Sequence, residues 1–269
     1  MAQLDTDQQS TSPDPSELPF IAPCRRLSVL EPIDWLREGW QDFKRAPAQS
    51  LTYGMFLVVL SYVVSFFTWQ LGGYILILSL MSGFVFIAPV LALGLYSISC
   101  QLERGLIPEI GYCIREGRRH LGNEAVFSMI LLIIFLLWAR AASMVEVFFP
   151  TDAQSRMTDL AIYLGIGSLV GSIFAGLVFS ASAFALPMML DRRVDAVTAV
   201  LTSVNAVLRN KGPMLLWAGI IVLSLLVSFA TAFLGLVVLM PVLGYATWHA
   251  YKDTIEADAW EEERKLPLD

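Results

Sequence analysis

The sequence predicts an all-α polytopic membrane protein with six transmembrane helices arranged as three αα-hairpins, and three observations carry that reading. Apolar runs begin near Ser50, Leu71, Ala125, Leu160 and Met214; each is long enough for a helix to cross a hydrocarbon core of about 30 Å, which takes roughly 20 residues. Only 16% of the 269 residues are charged while 56% are hydrophobic, whereas a soluble domain carries about 25% charge. The basic residues gather in alternate connections between the runs, as the cytoplasmic loops of a multi-pass protein require.

Residues 1–26, with Pro13, Pro15, Pro19 and Pro23 among Ser, Thr, Asp and Gln, read as a disordered cytoplasmic tail. They show neither the basic start nor the apolar stretch of a secretory signal. The membrane domain is expected to cover residues 27–253. It opens with an amphipathic helix at 32–45, where Pro32 suits a helix start and Ile33, Leu36, Trp40 and Phe43 share one face. That helix is expected to lie along the cytoplasmic surface, with Trp35 and Trp40 at headgroup level.

The first crossing covers residues 50–69, and Gly72 with Gly73 frees the backbone for a reversal into the second, 74–100. The third covers 125–144. A polar loop at 150–158 leads to the fourth, 160–190, which is longer than one crossing needs and should tilt or emerge near Pro187. Residues 195–210 repeat the amphipathic pattern weakly through Val197, Val200, Leu201, Val204 and Leu208. The last run, 214–251, would reach about 57 Å as one straight helix. Two short crossings with a turn near 232–235 are the better reading, with one long or re-entrant helix left open. Trp248 and Tyr251 end the last crossing as interfacial anchors, and a charged cytoplasmic tail occupies 254–269.

Charge sets the orientation. Arg25, Arg26, Arg37, Lys44 and Arg45 precede the first crossing; Arg104, Arg115, Arg118 and Arg119 fill the second connection. Arg192, Arg193, Arg209 and Lys211 fill the fourth, and Lys252, Arg264 and Lys265 follow the last. With six crossings, only Arg140 and Arg156 of the 18 basic residues fall elsewhere, so that side is cytoplasmic and holds both termini. A net charge of −6 argues against nucleic-acid binding, which needs concentrated Lys and Arg.

The chain also resembles itself. Gly83, Val85, Pro89 and Val90 recur at identical offsets as Gly235, Val237, Pro241 and Val242, and an aromatic, Tyr96 or Trp248, follows at one spacing. Each set lies in the second helix of a hairpin that follows a cytoplasmic segment ending at Pro47 or Pro213. Three related hairpins are therefore expected, with the helices holding Pro89 and Pro241 running in the same direction.

Residues that could carry chemistry are few. Cys24, Cys100 and Cys113 lack redox or metal spacing, and His120 and His249 lie outside the places where paired haem ligands would sit. No metal or other cofactor is expected. No nucleophile–His–acid set, phosphate loop or paired intramembrane carboxylates marks an enzyme. Arg140 and Glu146 read as a snorkelling Arg and an interfacial Glu rather than a transport site. Ser168, Ser172, Gly176 and Ser180 share a face beside Gly167 and Gly171; close helix packing is the main reading and a polar path the alternative. Pro89, Pro187 and Pro241 read as kinks.

Residues 191–200 and 235–252, together with 34–40 and 50–54, resemble the bacterial family of predicted integral membrane proteins called domain of unknown function 2189. The resemblance covers roughly 27–253, and its most specific piece is Trp248-His249-Ala250-Tyr251; Tyr245 stands where His is expected in many relatives. It implies a bacterial inner-membrane protein and supplies no catalytic residues. The function expected is that of a non-enzymatic scaffold or accessory subunit touching membrane lipids and a membrane-protein partner or a second copy. A small transporter or channel for a neutral or lipidic substrate is the alternative.

Overall fold

The computed structural model describes residues 19–72, 74–109, 121–148 and 157–262. Cys113, His120, Arg115, Arg118, Arg119, Arg156, most of the polar loop, residues 1–18 of the expected N-terminal tail and 263–269 of the expected C-terminal tail lie outside them, as does the side chain of Glu146. Among the described residues the chain is helical without strands. The helices are α1 (Glu31–Arg45), α2 (Pro47–Leu71), α3 (Tyr74–Glu103), α4 (Leu121–Phe148), α5 (Met157–Ser182), α6 (Ala185–Asp191), α7 (Ala196–Arg209), α8 (Lys211–Ala230) and α9 (Leu236–Thr254).

Among the described residues, four stretches are long and apolar enough to cross a membrane: Pro47–Gln70, Gly122–Val145, Leu160–Asp191 and Lys211–Ala230. Most of their surface is exposed, and Phe56, Phe66, Leu137, Leu169, Leu223 and Phe229 point outward. In water such faces would be a severe liability; in hydrocarbon they are what a spanning helix presents.

The buried core sits at one pole, where the C-terminal ends of α3 and α9 meet α1, α6 and α7. Direction follows from the contacts. Leu95 packs on Gly244 and Glu103 accepts from Trp248, so α3 and α9 run parallel, as the shared Pro89 and Pro241 register requires. Ser50 bonds Tyr245 at 2.8 Å and Tyr62 donates to Ala232 at the far end, so α2 runs antiparallel to α9. Tyr245, placed where His was expected, is fully buried on that bond.

Local chemistry explains the breaks. Acids in the first turn of α1 (Glu31, Asp34) and bases in its last (Lys44, Arg45) match the helix dipole. α5 stops at Ser182 because Ser203 of α7 takes over its end: the hydroxyl donates to Ser180 O at 2.7 Å and accepts from Phe184 N at 3.0 Å. Pro187 then falls in the first turn of α6, where a missing N–H leaves no bond unmade. It lies at the start of a new helix instead of kinking the fourth run.

The run 214–251 is two helices. α8 ends at Ala230, and Ala232 (φ 49°) and Phe233 (φ 67°) adopt left-handed backbone. Such conformations persist only where neighbours over-determine them. Tyr62 Oη donates to Ala232 O at 2.6 Å, and Gly235 N donates to Thr231 Oγ1 at 2.9 Å.

Several expectations are corrected. α1 buries Pro32, Trp35, Gly39, Asp42 and Phe43 against α9 and leaves Ile33 and Trp40 exposed. A Cβ on Gly39 would lie 2.6 Å from Val242 O, and one on Gly54 would strike the backbone of Val237; glycine lets α1 and α2 approach α9 this closely. α7 buries Ala196, Ala199, Ser203 and Ala206, while Val197 and Leu208 face out. Trp35, Trp248 and Tyr251 are buried in protein rather than offered to headgroups. Residues 22–27 and 255–262 belong to the folded pole, not to tails. Arg25 N donates to Thr254 O and Glu256 N to Pro23 O, and Ala22 and Trp260 are buried; composition does not register such backbone pairing.

Overpacking a tight helix contact costs about 1–3 kcal/mol or more. Gly39→Leu and Gly54→Leu are therefore expected to lower folded yield and melting temperature in detergent. Gly176→Leu should leave both near the parent value, since a Cβ there meets no atom within 4 Å.

Asp195 caps α7, accepting from Val197 N and Thr198 N at 3.0 Å each. Burial works against its charge, but the hydrogen bonds from Thr198 and Val197 outweigh it and hold the carboxyl below its ordinary range. Its contribution is thus present above the unfolded value, about 3.9, and lost as pH falls through the folded one. Asp195→Ala should cost about 1 kcal/mol at neutral pH, and melts at descending pH should show the gap to the parent closing in acid.

Candidate functional site

Among the described residues, polar side chains from distant parts of the chain converge at the charged pole. Glu38 and Asp42, one turn apart on α1, flank His249 of α9. Asp42 Oδ2 lies 2.8 Å from His249 Nε2, and Glu38 Oε2 lies 3.4 Å from Nδ1. Ser99 of α3 donates to the same Asp42 oxygen, and Arg45 Nη1 lies 3.5 Å from the other. Asp42 is buried, yet both its oxygens are engaged, as a buried carboxylate requires. Glu38 sits above its ordinary carboxylate range. Burial is the main cause, joined by Asp253, Asp42 and Asp34 and opposed by His249.

A second chain of contacts runs beside the first. Trp248 Nε1 donates to Glu103 at 2.8 Å. Lys252 Nζ bridges Glu103 (3.8 Å) and Asp191 (3.4 Å), and Tyr251 donates to Asp191 at 3.0 Å. Arg192 contacts Asp191 at 3.3 Å, Asp258 at 3.5 Å and Glu262 at 3.8 Å. Burial weighs against its charge, but Asp191 outweighs this and holds the guanidinium above even its usual range. Trp35 Nε1 donates to Asp253 at 2.9 Å and its ring meets Trp217 of α8 edge-on at 5.8 Å, so the pole joins α1, α3, α6, α8 and α9.

Glu38 and Ser99 (3.5 Å) lie on opposite ring nitrogens of His249, as the acid and serine of a triad do, but the Ser99 hydroxyl donates to Asp42 rather than to the ring. The carboxylates of Glu38 and Asp42 face different nitrogens, so they do not converge on one ion. Among the described residues, no group of three or more His, Cys, Asp or Glu could hold a metal.

The residues singled out from sequence lie elsewhere. Ser168, Ser172 and Gly176 face outward on α5 and Ser180 is half-buried. Ser172 donates to Ser168 O and Ser180 to Gly176 O, each at 2.7 Å, so two of these hydroxyls serve their own helix. Pro89 and Pro241 lie inside α3 and α9, Gly83 lies in α3, and Gly235 precedes α9. Arg140 is exposed on α4; Cys24 is half-buried and Cys100 buried. Sequence reasoning missed Asp42, Asp191 and Asn210. The available signal was at Asp42: an acid beside Phe43 and one turn from Gly39, on the apolar side of an amphipathic helix.

Removing one partner of a buried ion pair is strongly destabilising, by about 3–5 kcal/mol. Asp42→Ala is expected to approach that range and to release α1, read as faster proteolysis between α1 and α2. Glu38→Gln, at the half-exposed side of the ring, should cost less than about 1 kcal/mol.

No curated protein and no solved structure matches the chain. A family model does match. Its range is narrower than the resemblance over 27–253: Asp191 falls inside it, while the segments 34–40, 50–54 and 235–252 fall outside. Residues 76–191, from the first turn of α3 to the end of α6, match the family described as Predicted integral membrane protein (DUF2189).

Proposed function

We propose that the protein is a non-enzymatic scaffold or accessory subunit of the bacterial inner membrane, crossing it six times with both termini in the cytoplasm. The observation that carries this reading is the contrast between pole and spans. At the pole, charges from α1, α3, α6 and α9 pair with one another, which makes a rigid platform. The apolar helices leave most of their surface outward, free for lipid or a lateral partner.

Six crossings are supported by the parallel course of α3 and α9, whose C-terminal ends meet at the pole. Asn123 near the start of α4 donates to Val194 O, which brings a third hairpin to the same level. The basic residues concentrate there, and the positive-inside rule makes it cytoplasmic. Against a polar transport path stands the use of the Ser172 and Ser180 hydroxyls within α5.

Two measurements test this. Reporter fusions after Asp269, within 104–109 and within 192–195 should report cytoplasm, and one at Ala153 should report the outside; a C-terminal reporter on the outside overturns the topology. Mild-detergent purification of the tagged native chain should recover a stoichiometric membrane-protein partner. A deletion phenotype in uptake or efflux that Ser172→Ala reproduces, with folding intact, overturns the scaffold reading in favour of transport.

A further inference from the structure

Residues 25–27 and 209–211 are far apart in sequence but are held together by one side chain. Asn210 Oδ1 accepts from Leu27 N at 2.9 Å, and its Nδ2 donates to Arg25 O at 3.0 Å. The same Nδ2 reaches Ala206 O at 3.1 Å, and Asn210 itself is buried. With both neighbours of Arg26 pinned to Asn210, Arg26 is placed opposite Arg209 and Lys211, the two residues that flank Asn210. Four basic residues thus adjoin one buried amide, Arg25 and Arg26 on the segment it binds and Arg209 and Lys211 on either side of it in the chain. Arg25 is partly neutralised by Glu256 at 3.3 Å. Among the described residues, Arg26, Arg209 and Lys211 are exposed and form no ion pair.

The surface beside them is apolar. α8 starts at Lys211 and is apolar enough to enter the membrane. Leu215, one turn inward, is 76% exposed, and Leu208 and Val29 are exposed as well. A Cβ on Gly212 would touch Val29 Cγ2 at 3.4 Å, so the segment carrying Arg26 lies against the mouth of α8. Cations above exposed aliphatic side chains, at the point where a helix enters hydrocarbon, match a ligand with an anionic head and apolar tails.

We propose that Arg26, Arg209 and Lys211, gathered by Asn210, bind the headgroup of an anionic phospholipid. The proposal rests on the reading that α8 enters the membrane at Lys211. Neutralising this charge needs no net-basic protein: the chain carries −6 overall, which makes a local cationic cluster the feature that an anionic lipid would find.

The test uses the full chain, delipidated in a neutral detergent and titrated with dioleoyl-phosphatidylglycerol or dioleoyl-phosphatidylcholine, with bound lipid counted by native mass spectrometry. The parent should bind phosphatidylglycerol in preference, with affinity falling as salt rises. Arg26→Gln/Arg209→Gln/Lys211→Gln should lose roughly a hundredfold, from about 1 kcal/mol per cation near a lipid surface. Arg37→Gln/Lys44→Gln/Arg193→Gln, which removes the same charge elsewhere, should bind like the parent. Arg26→Lys/Arg209→Lys keeps the charge and should retain binding, which guards against a folding defect in the triple variant. Equal binding of the two lipids by the parent, or equal loss in both triple variants, overturns the proposal. Preference for an acidic protein over lipid in competition also overturns it. Because the titration is done in detergent, it fails independently of the topology, which the reporters read.

Discussion

The structure depends on the backbone-to-backbone seating of α1 against α9. Gly39 has no side chain, so the helix axis can come close enough that a Cβ would sit 2.6 Å from Val242 O. That approach carries Asp42 to His249 and Trp35 to Asp253. A larger residue at position 39 would move the carboxylate out of reach, since ion-pair strength falls with distance and rises with exclusion of water. The glycine and the carboxylate are one device: the first sets the distance, and the second makes that distance favourable.

From this contact the rest of the pole is assembled by side chains that close the ends of other elements. Ser203 satisfies groups on both sides of the α5 to α6 break. Asn210 fastens the segment before α1, and Asp191 collects Tyr251, Lys252 and Arg192. Buried polar groups are tolerated only when paired. Polar atoms contributed by segments more than 100 residues apart therefore have to meet in one arrangement, which makes the pole specific rather than merely compact.

The functional reading follows from where the chain spends its polar contacts. They are concentrated at one end, and the apolar helices that leave it carry little beyond packing and lipid-compatible surface. A protein built this way holds its helix ends in fixed relation and offers their sides to the bilayer. Ser168, Ser172 and Gly176 of α5 belong to that outward surface: Ser172 bonds its own backbone, and Gly176 meets open space.

The sequence alone determined that this is a helical membrane protein, where most helices fall, and which loops carry the basic charge. These follow from local rules: hydropathy over about 20 residues reports transfer into hydrocarbon, and Pro or Gly reports backbone limits. It also placed the break in the last run near 232–235, because the run is too long for one crossing. Only the tertiary structure decided which face of α1 and α7 is buried, that Trp35, Trp248 and Tyr251 turn inward, and that Asp42, His249 and Asp191 lie at the centre of the pole. Hydropathy treats tryptophan, tyrosine and aspartate as residues for an interface with water. Once α3, α6 and α9 bring a carboxylate to each indole and phenol, the same groups are satisfied inside the protein. The pairings that decide this join residues from α1 to α9, and no periodicity within a single helix encodes them.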